Sequence, residues 1–195
     1  MINTIIIDFG GVLGTNSDLI FIVALSKNGI SKDTALEIWE KHWPKMRVGD
    51  EHVEAIWKTV EKYTTSNIKK ITDDYNELIG VSHDMLNLCK DMKKRGYKMG
   101  VLANETFEWM DIKREKGKLN EIFDVVYSSA DLKFLKPLKE SYLKTLESLN
   151  AKPGETLFID NKEKNTKAAE KLGIKSLVFK NITQLKKDLT EIKVI

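Results

Sequence analysis

Two aspartates, each at the end of a short apolar run, are the residues of this chain best suited to chemistry. Asp8 closes the first run and is followed by Gly10 and Gly11, and Asp160 closes a run late in the chain. Runs rich in β-branched residues predict buried strands. A single aspartate there is also common as a turn residue or helix N-cap. Two of them, at the sheet edge where ligands bind, indicate an oxygen site for a hard cation such as Mg²⁺.

Phosphoryl transfer is the chemistry that such an edge would support. Asp8 is the candidate nucleophile and would form an aspartyl-phosphate. A carboxylate that attacks a phosphate dianion meets charge repulsion, which Mg²⁺ on Asp8, the Gly10 carbonyl and Asp160 would relieve. Lys136 precedes a proline in a loop near the same edge and would neutralise phosphoryl oxygens. Taken alone, such a lysine is more often an exposed loop charge.

Backbone N–H groups after the second strand, with the side chain of Asn104, are predicted to bind the remaining phosphoryl oxygens. The predicted phosphate-binding residues are Gly10, Gly11, Ala103, Asn104 and Lys136.

Alternating strands and helices predict the architecture that positions these residues. The predicted strands are Thr4–Asp8, Lys98–Leu102, Asp124–Ser128, Thr156–Asp160 and Ser176–Phe179. Amphipathic segments of helix length separate the last four, which predicts an α/β fold with a parallel sheet and right-handed crossovers. Helices are expected at Asp84–Arg95, Lys139–Leu149 and Glu163–Leu172.

The interval after the first strand is too long for one crossover. It has helical patterns only, at about Asp18–Lys27, Lys32–Trp43, Glu51–Tyr63 and Asn67–Leu78. We interpret residues 15–81 as an inserted all-helical cap whose aromatic residues form a small core of their own. Residues 1–14 and 82–195 then form the core domain. A cap at this point would cover the site, exclude water and contact the substrate.

The composition of the chain indicates which partners and which compartment to expect. The 195 residues carry a net charge of +3, from 32 basic and 29 acidic side chains, and this near balance favours neither a nucleic acid nor a membrane surface as partner. The single cysteine, Cys89, excludes a disulfide within the chain and fits a reducing compartment. No apolar stretch is long enough to span a bilayer and no signal peptide is visible. The expected location is the cytoplasm, and the expected partner is a small phosphorylated molecule.

Four stretches of the chain resemble the motifs of the haloacid dehalogenase (HAD) superfamily. They are Asp8–Leu13, Leu102–Asn104, Leu135–Pro137, and Phe158–Asn161 with Asn165, Ala168 and Gly173. The resemblance covers nearly the whole chain. It implies a Rossmann-like core, a helical cap of the first cap class, an aspartate nucleophile and, for most members, Mg²⁺-dependent phosphatase activity.

Three positions depart from the usual pattern of these phosphatases. Gly10 stands where a second aspartate usually acts as general acid and base, Ala103 replaces a serine or threonine, and Asn161 replaces an acid. Glycine at the acid position is similar to a branch that includes bacterial sugar-phosphate phosphatases and relatives of the epoxide hydrolase N-terminal domain. Some members of this branch are active, so Gly10 does not imply a dead enzyme.

The absence of a general acid at position 10 affects which leaving groups the enzyme is expected to accept. Loss of a general acid costs about 10²–10⁴-fold in rate when the leaving group needs a proton, and less when the leaving group has a low pKa. We therefore expect an anomeric sugar phosphate or an acyl phosphate as substrate. Alternatively, Asp18, Glu105 or a cap residue supplies the acid, although Glu105 also suits a helix start.

Two other functions stay open from the sequence. The first is 2-haloacid dehalogenation, in which Asp8 attacks carbon without a metal; Asp160 argues against it, because the dehalogenases resembled here carry a small polar residue at that position. The second is a non-catalytic binding or regulatory protein, which Gly10 and Ala103 would suit.

Overall fold

Five parallel strands form a single sheet. The structure is a computed structural model that describes residues 1–195. The strands are β1 (Thr4–Ile7), β2 (Lys98–Ala103), β3 (Val125–Ser128), β4 (Thr156–Asp160) and β5 (Lys175–Val178). Their order is β3-β2-β1-β4-β5, with every neighbouring pair parallel. The predicted α/β fold is confirmed, and each predicted strand is present with bounds that differ by at most one residue at either end.

Helices cover both faces of this sheet and fill the long first crossover. The helices are α1 (Ser17–Lys27), α2 (Lys32–Met46), α3 (Val53–Val60), α4 (Ile68–Leu78), α5 (His83–Lys94), α6 (Phe107–Gly117), α7 (Leu119–Ile122), α8 (Ser129–Leu132), α9 (Lys139–Ser148), α10 (Glu163–Glu170) and α11 (Ile182–Glu191). No helix combines the length and the apolar character needed to cross a bilayer.

The alternation of side chains along β1 divides the apolar residues between two layers. Ile5 and Ile7 face the layer that contains α5, α7 and α11, whereas Ile6 faces the layer of α9 and α10. This alternation follows from the two-residue period of a strand. Cys89 lies in the first layer, where burial raises the pKa of its thiol to about 12. Its position agrees with the core role that its apolar helix stripe predicts.

The helix α2 extends further than the sequence indicates. The sequence pattern predicts its end at about Trp43. Pro44 follows, which lacks a backbone N–H and disfavours a helix interior. The helix instead continues through Pro44 to Met46. Met46 is fully buried in the cluster formed by α1 to α4, and this burial offsets the missing hydrogen bond.

A third apolar cluster joins the helices α1 to α4. Phe21, Trp39 and Tyr75 are among its buried members, which agrees with the aromatic core predicted for residues 15–81. The prediction was incomplete, however, because Trp109 of α6 also belongs to this cluster. Its ring lies 5.8 Å from that of Trp39 at an interplanar angle of 3°, and 4.6 Å from that of Tyr75. A helix from outside the inserted segment therefore completes the aromatic cluster.

Candidate active site

Asp8 and Asp160 lie side by side at one edge of the sheet. In the register between β1 and β4, Ile7 pairs with Ile159, and the backbone N–H of Asp8 donates to the Ile159 carbonyl at 2.9 Å. Because these neighbouring strands are parallel, both aspartates are delivered at the same edge. Only 6% of Asp8 and none of Asp160 is exposed. Two carboxylates that are 152 positions apart in the sequence therefore share one buried site.

Lys136 connects the two carboxylates. Its Nζ donates to Asp8 Oδ1 at 2.7 Å, to Asp160 Oδ2 at 2.8 Å and to the Leu102 carbonyl at 2.6 Å. Only 1% of Lys136 is exposed. The group thus contains two acids and one base, so a negative charge is left without a partner when all three are ionised.

The pKa values reflect this excess of negative charge. Burial raises the pKa of Asp8, and the neighbouring Asp160 raises it further, against the lowering effect of Lys136. Burial alone would lower the pKa of Lys136, but Asp8 and Asp160 outweigh it and bring that pKa above its ordinary value. Lys136 therefore stays charged, and any additional positive charge nearby would favour the ionised form of Asp8.

Asparagine side chains fix the orientation of these groups. Asn104 Oδ1 accepts from the backbone N–H of Lys136 at 2.8 Å, and its Nδ2 donates to the Lys136 carbonyl at 2.9 Å. The amide predicted to bind phosphate thus holds the lysine loop. Asn165 Nδ2 donates to Asp160 Oδ2 at 2.9 Å, and the backbone N–H of Lys162 donates to Asp160 Oδ1 at 2.7 Å. Lys136 and Asp160 are therefore each anchored by a neutral group.

The glycine pair after Asp8 has side chains of asparagine as close neighbours. A Cβ atom on Gly10 would lie 2.8 Å from Asn16 Oδ1. Gly11 has a φ of 75°, in the left-handed region that favours glycine, and a Cβ there would lie 2.3 Å from Asn161 Nδ2. Asn16 therefore occupies the space that a side chain at position 10 would enter.

A cavity of about 80 Å³ opens beside Asp8, which is room for several water-sized groups. The predicted site residues that line it are Asp8, Gly10, Ala103, Asn104 and Lys136. Asp160 and Gly11 do not line it. The other lining residues are Asn16, Ser17, Asp18, Trp39, Trp43, Glu105, Lys162 and Asn165. The cavity is thus lined mainly by polar residues, together with two aromatic rings of α2.

The profile of the haloacid dehalogenase-like hydrolases matches residues 5–179. The chain belongs to this family. Over 178 residues, which are 90% of this hydrolase and 82% of the relative, it is 26% identical to the pyrophosphatase PpaX of Bacillus cereus.

Solved structures of other family members share the fold of this hydrolase. One is a HAD family enzyme of Bacteroides thetaiotaomicron in complex with magnesium and inorganic phosphate, with a TM-score of 0.80 and 23% identity over 95% of this chain and 99% of that one. Another is a HAD-like family hydrolase of Porphyromonas gingivalis, with a TM-score of 0.78 and 21% identity over 99% of this chain and 98% of that one.

Several lining residues of this hydrolase were not predicted as site residues. Asn16 and Lys162 carry no motif of their own, and Trp39 and Trp43 were interpreted only as packing residues. Their one signal in the sequence is position, since Asn16 follows the glycine turn by a few residues and Lys162 follows Asp160 by two. The two tryptophans come from the inserted helices, whose placement over the sheet edge no local pattern specifies.

The donor set of this hydrolase fits a hard divalent cation. Asp8 and Asp160 supply carboxylate oxygens, and the Gly10 carbonyl lies on the loop that lines the cavity. The charge balance of the buried group also favours a bound cation, because Lys136 compensates only one of the two carboxylates. No thiol or imidazole lines the cavity, so the set favours a cation such as Mg²⁺ over a softer metal.

Proposed function

We propose that this hydrolase is a Mg²⁺-dependent phosphatase that acts on a small phosphorylated metabolite. The proposal rests on one observation, the buried group in which Lys136 holds Asp8 and Asp160 together at the wall of a small cavity. A nucleophilic carboxylate, a fixed ammonium group and a second carboxylate are the parts that phosphoryl transfer through an aspartyl-phosphate needs.

In the proposed reaction the carboxylate of Asp8 attacks phosphorus, and an Asp8–phosphorus bond forms. The bond from phosphorus to the leaving oxygen breaks, and that oxygen keeps the electron pair. Lys136 compensates negative charge on the phosphoryl oxygens, and the backbone N–H of Asn104 binds a remaining one. Water then attacks the phosphorus of the aspartyl-phosphate, and the bond from phosphorus to Asp8 breaks. The protons of the water leave with inorganic phosphate, and the Asp8 carboxylate is regenerated.

Asp8, the Gly10 carbonyl and Asp160 would hold the magnesium ion. When bound, Mg²⁺ supplies the positive charge that lets an anionic carboxylate approach a phosphate dianion. The related enzyme of Bacteroides thetaiotaomicron, which is in complex with magnesium and inorganic phosphate, supports this assignment for the family.

Residues 15–81 are the proposed cap, and residues 1–14 with 82–195 the proposed core domain. The inserted helices have an apolar cluster separate from those on the sheet. They also contribute Asp18, Trp39 and Trp43 to the cavity wall. These side chains are therefore the ones that would contact the leaving group of a substrate whose phosphate lies beside Asp8 and Lys136.

The proposed substrate has a leaving group of low pKa, such as an anomeric sugar phosphate. Gly10 supplies no acid, and Asn16 takes the space where one would project. Trp39 and Trp43 offer apolar ring surface beside the polar groups of Asn16 and Asp18, and such a mixture suits a sugar. The name of the relative PpaX, a pyrophosphatase, is consistent with this class, because a phosphoanhydride also releases a weakly basic group.

Removal of the metal is the direct test of the proposed function. We expect release of inorganic phosphate from a panel of phosphate esters to stop in EDTA and to return with excess MgCl₂. Phosphate release that is unaffected by EDTA would contradict the proposal. Chloride release from a 2-haloacid without Mg²⁺ would instead identify a dehalogenase. No turnover of any compound, with inorganic phosphate still bound in calorimetry, would identify a binding protein.

Restoring an acid at position 10 tests the substrate class. Wild type should hydrolyse anomeric phosphates much faster than alkyl phosphates. The double variant Gly10→Asp/Asn16→Ala should gain about 10²-fold on alkyl phosphates, because the new carboxyl group can protonate the leaving oxygen.

The single variants are the matched controls for this gain. Gly10→Asp alone should gain less than the double variant, because the side chain of Asn16 must first move aside, and Asn16→Ala alone adds no acid. Equal rates of wild type on alkyl and anomeric phosphates, or no gain in the double variant, would refute the assignment of a low-pKa leaving group. Rates are measured as phosphate release at saturating Mg²⁺.

A further inference from the structure

Three buried polar side chains form a network that the phosphoryl-transfer chemistry does not use. Ser17, Glu105 and Lys113 are 6%, 3% and 1% exposed. Lys113 Nζ forms an ion pair with Glu105 Oε2 and donates to Ser17 Oγ at 2.8 Å. Ser17 Oγ donates to the same Glu105 oxygen at 2.6 Å. The three side chains therefore close a ring of contacts in the interior.

Each member of this ring comes from a different segment around the cavity. Ser17 is the first residue of α1 and so begins the inserted helices. Glu105 directly follows Asn104, whose amide holds the backbone of Lys136. Lys113 lies on α6, and its Nζ is 5.0 Å from the centre of the ring of Phe9, the neighbour of Asp8.

Two further hydrogen bonds connect the loop at Glu105 to the end of α2. The backbone N–H of Glu105 donates to Ser129 Oγ at 3.0 Å. Ser129 Oγ in turn donates to the carbonyl of Arg47, directly after α2, at 2.5 Å. The loop at Glu105 is thus bound to the start of α1 and to the end of α2.

The geometry uses Glu105 as an acceptor and not as the missing acid. Its Oε1 accepts from the backbone N–H of Thr106 at 3.1 Å, and its Oε2 accepts from Ser17 and Lys113. All of these groups direct hydrogens toward the carboxylate. A carboxyl group surrounded in this way is poorly placed to give a proton to a leaving group.

A buried ion pair adds little net stability compared with apolar residues of the same size, so its value lies more often in fixing one arrangement. We propose that Glu105, held by Lys113 and Ser17, is a positioning residue that fixes the inserted helices relative to the loop that carries Lys136. This inference rests on the proposed phosphatase function. The connection runs from Ser17 through Glu105 and the adjacent Asn104 to Lys136, and from there to Asp8.

The test first removes the ammonium group of Lys113 and then also removes the negative charge of Glu105. Lys113→Met leaves a buried carboxylate without a cation, so the ring of contacts should open. We expect kcat of Lys113→Met to fall about 10²-fold, the cost of misplaced catalytic groups. The double variant Lys113→Met/Glu105→Gln removes the uncompensated charge and should regain most of this loss.

A matched control separates this effect from loss of any lysine. Lys69→Met breaks the exposed pair of Lys69 with Asp73 on α4, and its kcat should equal that of wild type. Positioning is refuted if Lys113→Met behaves like Lys69→Met. It is equally refuted if the single and double Lys113 variants lose the same activity, because such a loss would reflect packing alone.

Tryptophan emission provides a readout that needs no turnover. All four tryptophans of the chain, which are Trp39, Trp43, Trp57 and Trp109, lie in the aromatic cluster between α6 and the inserted helices. Emission of Lys113→Met should differ from that of wild type, and emission of Lys113→Met/Glu105→Gln should return to that of wild type. If wild type hydrolyses nothing while this shift occurs, the phosphatase proposal fails and the network stands. If turnover is normal and emission does not change, only the network proposal fails.

Discussion

The variant Asp8→Asn should lose turnover and, in the absence of metal, unfold at a higher temperature than wild type. Turnover falls by about 10⁴-fold or more because the amide is not a nucleophile, which is the scale seen when a nucleophile is removed. Stability rises because the variant removes one of two buried carboxylates that share Lys136. We expect a rise of about 2–4 °C in Tm, equivalent to about 1 kcal/mol for a chain of this length.

The pH dependence of this stability difference has a defined sign. Burial raises the pKa of Asp8 above 3.8, so the native protein binds this proton more tightly than the unfolded chain does. Wild type therefore loses stability as the pH rises from about 3.8 through the raised pKa. Asp8→Asn lacks this loss. Thermal melts in EDTA should show the largest advantage of the variant at neutral and alkaline pH, and a shrinking advantage as the pH falls.

Magnesium should reverse the order of the two proteins. Binding to the native state stabilises wild type by mass action, and Asp8→Asn should gain less because it lacks one proposed ligand. Asp91→Asn is the matched control, since Asp91 is an exposed residue of α5, and it should follow wild type in every melt and assay. Residual turnover of Asp8→Asn near that of wild type, or equal responses of both proteins to pH and Mg²⁺, would contradict the assignment of Asp8.

The sheet and the residues at its edge were predictable because their signals are local. The run that ends at Asp8 and the run that ends at Asp160 each combine β-branched or aromatic residues with a terminal carboxylate. The parallel arrangement then follows from the helical segments between strands. Lys136 was assigned because it occurs together with the other motifs, and it lies within hydrogen-bonding distance of both carboxylates.

The network around Glu105 was not predictable, because nothing near its members in the sequence signals a contact. Ser17 is 88 residues from Glu105 and 96 from Lys113. Lys113 precedes Arg114, Glu115 and Lys116 in a charged stretch that is typical of a solvated helix face, yet it is 1% exposed. Its burial depends on the placement of α6 between the sheet and the inserted helices.

The placement of neighbouring residues also decides what Gly10 and Asn104 do at the site. Gly10 suggested a missing acid, but only the structure shows that Asn16 fills the space beside it. Asn104 matched the motif of a phosphate ligand, yet its amide is used to hold the backbone of Lys136. In both cases the partner of the residue could not be identified from a sequence pattern.

Lys136→Met should be the most destabilising of the site variants. It leaves Asp8 and Asp160 buried beside each other without a cation, and breaking a buried pair in this way costs about 3–5 kcal/mol. Turnover should fall about 10²–10³-fold, since the fixed charge on the phosphoryl oxygens is lost. Lys139→Met is the matched control, because Lys139 is an exposed residue three positions along the chain. Urea denaturation in EDTA and in MgCl₂ measures the loss, which the bound cation should reduce.

A double variant tests whether the charge of Asp8 causes this instability. If the loss comes from two unpaired carboxylates, Asp8→Asn/Lys136→Met removes one of them and should be more stable than Lys136→Met alone. The two changes should then be non-additive by about 0.5–3 kcal/mol, the range measured for residues in direct contact. Additive changes, or a Lys136→Met protein as stable as Lys139→Met, would mean that Asp8, Lys136 and Asp160 are not electrostatically coupled. The proposed cation site would then lose its physical basis, because that site depends on the one carboxylate charge that Lys136 leaves uncompensated.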